Sequence, residues 1–258
     1  MWKSYVWKRQ TIANLAETFQ LSSRSIRRVL HSINVQTKTI PSRPVILALD
    51  CVFFSRGDGL IVARDPINKQ MICWHQIKQE TRAEYRTIKD VLKAQGFEVL
   101  GVIIDGKKGV RELFYPIPVQ MCHFHQKQIV TRYLTLNPKL EASKELKEIV
   151  SLLTLSTEDV FSEMLLYWHD KWSGFLKEKT TEPSGKWHYT HRRLRSAYRS
   201  LKTNLSFLFT YKNYPNLNMP NTTNSLEGSF SYLKDLLRTH RGFNSNLKLN
   251  IIAEIFSK

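Results

Sequence analysis

The sequence predicts an α/β fold: a mixed sheet with helices on both faces, a small helical pair ahead of it and a long all-helical stretch inserted after it. Three observations predict this. Between residues 44 and 125, short apolar runs alternate with helical spacings. One run, residues 97–104, is almost wholly apolar, as a strand buried on both faces of a sheet is. From about residue 125 to 219, strand signals thin out and helical periodicity takes over. A chain of 258 residues has room for one large domain, or one domain with a small module. At this size roughly 75% of the unfolded chain's surface is buried on folding, so neither disulfides nor metal are needed to build a core.

Residues 1–44 are strongly basic, with eight Lys and Arg against the single acid Glu17. Ile12, Leu15, Ala16 and Phe19 repeat at helical spacing, and Ile26, Val29 and Leu30 form a second set after a break at Gln20-Leu21-Ser22. Two short helices with a tight break read as a helix-turn-helix over residues 1–36, with Ser22 or Ser23 capping the second helix. The exposed side of that helix carries Ser23, Arg24, Arg27 and Arg28, a set suited to phosphates and base edges. An ordinary basic helical hairpin is the plainer reading of the same residues. Gln20 departs from the usual pattern, which has Gly in the turn. Residues 37–43 read as a linker.

Residues 44–54 form the first strand, 60–63 the second and 71–77 the third, an antiparallel meander turning at Asp58-Gly59 and at 65–69. Thr81 and Glu84 have capping-box spacing. Tyr85, Ile88, Val91 and Leu92 follow as an apolar stripe, and Gly96 ends the helix. The apolar run 97–104 is the fourth strand, 110–115 a short helix and 119–122 the fifth strand. The remaining helices are expected over about 143–153, 159–172, 191–208, 225–238 and 247–256. Trp168, Trp172 and Trp187 read as core aromatics of this stretch, and Cys51 and Cys73 as core residues of the sheet.

Charge supplies the first functional clue. Thirty-nine Lys and Arg stand against 22 Asp and Glu, a formal net charge of +17. This suits a polyanionic partner, nucleic acid before a membrane surface. No apolar run approaches the roughly 20 residues of a spanning helix, and residues 1–10 lack a signal-peptide core, so a cytoplasmic, nucleoid-associated protein with no membrane partner is expected. The three cysteines Cys51, Cys73 and Cys122 make neither a disulfide framework nor a CxxC pair.

Two aspartates sit at telling places. Asp50 lies within the first strand and Asp105 ends the fourth, and in this order of elements those strands can be neighbours. Their carboxylates then face each other across one strand spacing, about 5 Å, and repel unless a cation lies between them. Oxygen donors of this kind make a natural Mg²⁺ site. Each Asp alone would be read as a strand-ending turn residue. Glu227 follows Asn224 by three residues, a capping-box arrangement that equally aims a carboxylate from a helix start.

Asp50, Asp105, the Cys122-His123-Phe124-His125 motif, the long helical insertion and Glu227, in that order, resemble the Mutator-like DDE transposases of insertion sequences. The resemblance covers essentially residues 8–258. It implies a ribonuclease H-like catalytic domain over 44–258, with the helical insertion at about 126–220 and the helix-turn-helix as a DNA-binding module. It further implies a DDE triad at Asp50, Asp105 and Glu227 and a C-x-x-H motif at Cys122 and His125. Relatives often carry a Cys-rich zinc ribbon upstream of the helix-turn-helix. This sequence has none there, so a shortened or alternatively started reading frame is expected, with a consequence for its activity.

On that resemblance, two Mg²⁺ or Mn²⁺ ions are expected, with Asp50 bridging and Asp105 and Glu227 each holding one. Zinc is not expected, because Cys122 and His125 lack two further ligands at recognisable spacing. The motif then has a structural or DNA-contacting role near the acids. Arg192, Arg193, Arg195, Arg199 and Lys202 form a dense basic run, either a solvated helix face or a DNA-backbone contact. The expected activity is metal-dependent DNA strand cleavage and transfer at the terminal inverted repeats of an element, by a homo-oligomer assembled on double-stranded DNA. The alternatives are a non-catalytic DNA-binding descendant of a transposase and a ribonuclease H-like nuclease that cuts without joining.

Overall fold

The computed structural model describes residues 1–36, 39–240 and 244–257. Three short helices open the chain: α1 (Trp2–Trp7), α2 (Ile12–Phe19) and α3 (Ser23–Ser32). One sheet follows, built from β1 (Pro44–Ser55), β2 (Asp58–Asp65), β3 (Gln70–Ile77), β4 (Glu98–Ile104) and β5 (Val119–Met121). Helix α4 (Arg82–Ala94) links β3 to β4, and α5 (Arg111–Phe114) links β4 to β5. The inserted stretch contains α6 (His123–Leu134), α7 (Glu141–Ser151), α8 (Glu158–Lys171), α9 (Ser173–Lys177), β6 (Lys179–Thr181), β7 (Trp187–Tyr189), α10 (Arg192–Leu208) and α11 (Thr210–Asn213). Helices α12 (Asn224–Thr239) and α13 (Ser245–Phe256) close the chain.

The strand order is β3-β2-β1-β4-β5. The first three strands are antiparallel, and β4 and β5 run parallel to β1. The predicted adjacency of the first and fourth strands is therefore present. Alternation along β1 divides the core in two. Ile46, Ala48 and Val52 face one side, with Leu60, Val62 and Ile103, and pack against α12 and α13 through Leu226, Phe230, Leu233, Ile251 and Ile252. Val45, Leu47 and Leu49 face the other side, with Ile61, Val102 and Ile104, and pack against Tyr85, Ile88 and Leu92 of α4. A third cluster fills the insertion around Leu146, Phe161, Trp168, Leu194 and Leu201, and Met121 of β5 belongs to it.

The N-terminal helices join the first of these clusters. Tyr5, Val6, Leu15, Ile26 and Leu30 are buried in the same core as α12 and α13. The indoles of Trp2 and Trp7 both donate to Glu254 of α13, at 3.0 and 2.9 Å. Tyr5 stacks on His240 at 3.9 Å, and Asn250 grips the chain after α3 through Ile33 and Val35. Of the expected linker, residues 37 and 38 lie outside the described residues. Arg43 is pinned by an ion pair to Asp65 at 2.8 Å.

Two expectations need correction. The insertion is not wholly helical: β6 and β7 pair as a short antiparallel hairpin. Its turn closes through Gly185, which takes a left-handed φ of 79°, and its arms hold the strand-favouring Thr180, Thr181, Trp187 and Tyr189. Helix α1 forms where no helix is expected, because its aromatic side chains find partners on α12 and α13 rather than within the segment. Among the described residues, no helix is long and apolar enough to cross a membrane.

Candidate functional site

The site lies at the sheet edge where β4 and β5 end, with Asp50 at its centre. Asp50 shares its side of β1 with Ala48 and Val52, is 8% exposed, and accepts the Cys51 backbone N–H at 2.8 Å. In the β1–β4 register Ala48 stands opposite Ile103. Two residues further on come Asp50, still within β1, and Asp105, just past the end of β4, close enough for Asp105 to act on the Asp50 carboxyl through charge. Asp105 begins a tight turn, its Oδ1 accepting the Lys107 N–H at 2.9 Å. Gly106 makes that turn possible with φ 90°, and a Cβ there would run into the Met121 side chain. Gly106→Ala is therefore expected to cost about 2–3 kcal/mol and to move Asp105. Urea denaturation of the variant measures the first effect.

Glu227 reaches the same edge from the first turn of α12. That turn is clamped to β2 by Arg64, whose guanidinium donates to Ser225 O and Ser229 Oγ, each at 2.9 Å. Leu226 and Phe230 bury the adjoining side of the helix in the sheet core and leave Glu227 half-buried. The expected capping box is absent. The N-cap is Thr223 rather than Asn224, and it makes no side-chain cap. Its backbone N–H and hydroxyl instead donate to the Cys122 thiol, at 3.3 and 3.4 Å.

That contact explains the C-x-x-H motif structurally. Cys122 is buried where β5 gives way to α6, and its own N–H donates to Ile104 O at 2.8 Å. The next residue, His123, donates its backbone N–H to Asn221 O at 2.9 Å and packs its ring by Leu208 O and Tyr211. The motif thus ties the ends of β4 and β5 to the start of α12, the three elements that meet at the acids. His125, one turn along α6, sits beside the thiol. Its Nδ1 is buried, and its close approach to the Cys122 thiol couples the two groups directly.

The electrostatics form one unit. Burial pushes the Asp50 carboxyl up, His125 and the Cys51 N–H pull it back, and Asp105 and Glu227 push it up again, to about 7. Burial alone would depress His125, but Cys122, Asp50 and Asp105 beside it raise it to about 9. Burial likewise raises the Cys122 thiol, yet His125 and Thr223 outweigh this and hold it below the ordinary range. Glu227 is raised by burial, with His125 opposing. His125 is the cation set against three carboxylates.

A fourth carboxylate was not singled out in the sequence. Glu80 follows β3, which runs parallel to β1, and so arrives at the same edge. It accepts the Tyr85 hydroxyl at 2.8 Å, lies 3.8 Å from Lys107 Nζ, and is raised by burial and then by Asp105. The signal that could have found it is strand direction, since every strand parallel to β1 delivers its following residues here.

Among the described residues, no three His, Cys, Asp or Glu side chains stand as a ready-made chelate. The chemistry of the donors fits a hard divalent cation: they are carboxylate oxygens, and the central one is held high by burial and like charge, which a bound cation would relieve. Asp50, Asp105 and Glu227 are the residues that would hold it.

The expected nucleic-acid contacts are placed unevenly. Ser23, Arg24, Arg27 and Arg28 all lie exposed on α3. Ser22 caps that helix by accepting the Ser25 N–H at 3.1 Å, and Gln20 takes the left-handed turn itself, with φ 53°. On α10, Arg192, Arg199 and Lys202 are exposed. Arg193 donates to Arg132 O at 2.6 Å, and Arg195 donates to Leu176 O at 2.7 Å while lying 3.6 Å above the Tyr189 ring. Those two guanidinium groups are engaged within the insertion. Trp168 is buried and Trp172 half-buried, whereas Trp187 is exposed on the hairpin with Lys179 over its ring, which corrects the expectation of a core residue. No protein-family model matches the chain, and no curated protein matches it.

Proposed function

We propose that the chain is a DNA transposase with a ribonuclease H-like core, cutting and joining phosphodiester bonds at Asp50, Asp105 and Glu227. The observation that carries this reading is the electrostatic union of those three carboxylates, delivered from β1, β4 and α12 to one sheet edge of a +17 chain. The β3-β2-β1-β4-β5 order supports it, as does the resemblance to Mutator-like transposases in the order of acids, C-x-x-H motif and insertion. Helices α2 and α3, with their capped turn and exposed arginines, support a helix-turn-helix contact to element ends.

Asp50, Asp105 and Glu227 would hold two Mg²⁺ or Mn²⁺ ions, which when bound polarise the attacking oxygen and stabilise the leaving 3′-oxygen. The chain's own part is preparation. The parallel pairing of β1 and β4 supports bringing Asp50 and Asp105 together. Arg64 and Cys122 fix the third by anchoring the α12 start. His125 keeps a positive charge beside them, which favours their ionised form. No side chain is asked to form a covalent intermediate. Homo-oligomerisation on DNA and a place in the nucleoid belong to the same proposal.

The test is cleavage of DNA spanning the gene and its flanks, in Mg²⁺ and in Mn²⁺, by the wild-type chain and by Asp105→Asn. The expected result is strand cleavage that falls about a hundredfold or more in the variant, with gel-shift binding retained. DNA that is bound but never cut in either metal overturns the enzymatic reading and leaves a DNA-binding protein. Cleavage without joining leaves a nuclease.

A further inference from the structure

A cluster of carboxylates repels a phosphate backbone, so a strand whose reacting phosphate sits at Asp50 must be held by cations elsewhere. Helix α12 provides them in line. Glu227, Ser231, Lys234 and Arg238 follow at steps of four, three and four residues, one stripe of the helix. Beyond Glu227 this stripe is exposed, while Leu226, Phe230, Leu233 and Leu236 are buried. With a rise of about 1.5 Å per residue, Lys234 lies about 10 Å and Arg238 about 16 Å along the axis from Glu227. The strand beneath matches: Ser55 lies about 16 Å along β1 from Asp50.

At that far end the chain forms a cleft of about 630 Å³, lined by Phe54, Ser55, Asp58, Lys234, Arg238 and Lys248 among others. The acid that lines it among the described residues, Asp58, is neutralised by an ion pair with Lys248, which also lies 4.3 Å over the Phe54 ring. Lys234 makes no ion pair among the described residues. Arg238 has a loose, exposed one to Asp235 at 3.4 Å. The cleft is therefore net basic, lies away from the acids, and connects to them by the exposed side of one helix.

We infer that the cleft at the end of α12 binds the phosphodiester backbone of the DNA strand, with Lys234 gripping a phosphate about 10 Å and Arg238 one about 16 Å from the reacting bond. Duplex DNA presents one phosphate per 3.4 Å on each strand, so that interval spans roughly five phosphates. The inference rests on the nucleic-acid reading of the chain and adds to it where the strand runs. It makes α12 both the carrier of Glu227 and the guide that registers the substrate on it.

The test is fluorescence anisotropy of a labelled single-stranded DNA oligonucleotide, with a matched RNA, titrated at several KCl concentrations. The wild-type chain is compared with the double variant Lys234→Ala, Arg238→Ala, and with Lys144→Ala, Lys171→Ala, which removes equal charge from the insertion. All four residues are exposed, and thermal melts check that each variant folds. The expected result is a slope of log K against log salt shallower by about 1.4 in the first variant, two phosphates at about 0.7 each, and unchanged in the second. A slope shared by both variants, or a loss seen with RNA and not with DNA, overturns the inference. Binding needs no catalysis. A wild-type chain that shows the steep slope but never cuts DNA therefore removes the proposed activity and leaves the cleft standing, while cutting with an unaltered slope in the first variant does the reverse.

Discussion

Asp50→Asn is expected to abolish strand cleavage and, above neutral pH, to make the folded chain more stable. Burial and the neighbouring acids hold the Asp50 carboxyl at about 7, against about 3.9 for a free aspartate. The folded chain thus binds that proton more tightly than the unfolded one does. The associated stability is fully present below pH 4 and is lost as pH rises through about 7. Asn keeps the shape and the acceptor for the Cys51 N–H but never becomes charged. Urea denaturation at pH 8 is expected to show a gain on the order of 1–3 kcal/mol, and at pH 4 almost none.

His125 limits that gain. Its folded value of about 9 lies above the ordinary 6.5, so its contribution is fully present below pH 6.5 and disappears as pH rises through about 9. Part of the elevation comes from Asp50, and Asp50→Asn removes that part. A variant less stable than wild type at pH 8 would show that Asp50 anchors the fold instead of straining it. Loss of cleavage together with a gain in stability is the signature of a carboxylate kept for function at the expense of the fold.

Trp168→Ala is expected to cost about 3–5 kcal/mol, a large share of the 5–15 kcal/mol that holds a typical domain together. The indole is 1% exposed in the core of the insertion, stacks with Tyr198 at 5.5 Å, and donates from Nε1 to Ala142 O at 2.9 Å. Truncation leaves a cavity and removes the indole's hydrogen bond to the Ala142 carbonyl. The insertion's core takes in Met121 of β5, and Leu208, Thr210 and Tyr211 bond to Gln120 and Val119 of the same strand. The sheet keeps its own two core clusters, so the damage is expected to centre on the insertion and to split urea denaturation into an early step for the insertion and a later one for the sheet. Trp187→Ala, at a 54% exposed position, is expected to change stability by less than about 0.5 kcal/mol. A single transition in Trp168→Ala, shifted as a whole, would show that insertion and sheet unfold together.

Much of this was legible in the sequence. The sheet strands and most helices fall where apolar periodicity places them, within one to a few residues at their ends. Thr81 caps α4 and Ser22 caps α3, because a cap depends on residues three positions apart. The nearness of Asp50 and Asp105 follows from strand order, since β1 and β4 are parallel neighbours and both acids come after their paired segments. Glu227 was less accessible. Its local surroundings read equally well as a capping box, and only the resemblance to a known arrangement of acids drew attention to it.

What tertiary structure alone decided lies in contacts between residues far apart in the chain. Thr223 gives its donors to Cys122, 101 positions away, and not to the helix it precedes. Arg195 looks like any member of a basic run until Tyr189 and Leu176 come under it. Helix α1 exists because Glu254, 252 positions from Trp2, accepts both of its indoles. Glu80 joins the acids because β3 happens to run parallel to β1. Caps, turns and periodicity act within about one helical turn or one strand pair, so the order of residues encodes them directly. Charge coupling, burial and the sharing of a donor depend on which surfaces meet, and packing of the whole chain sets that.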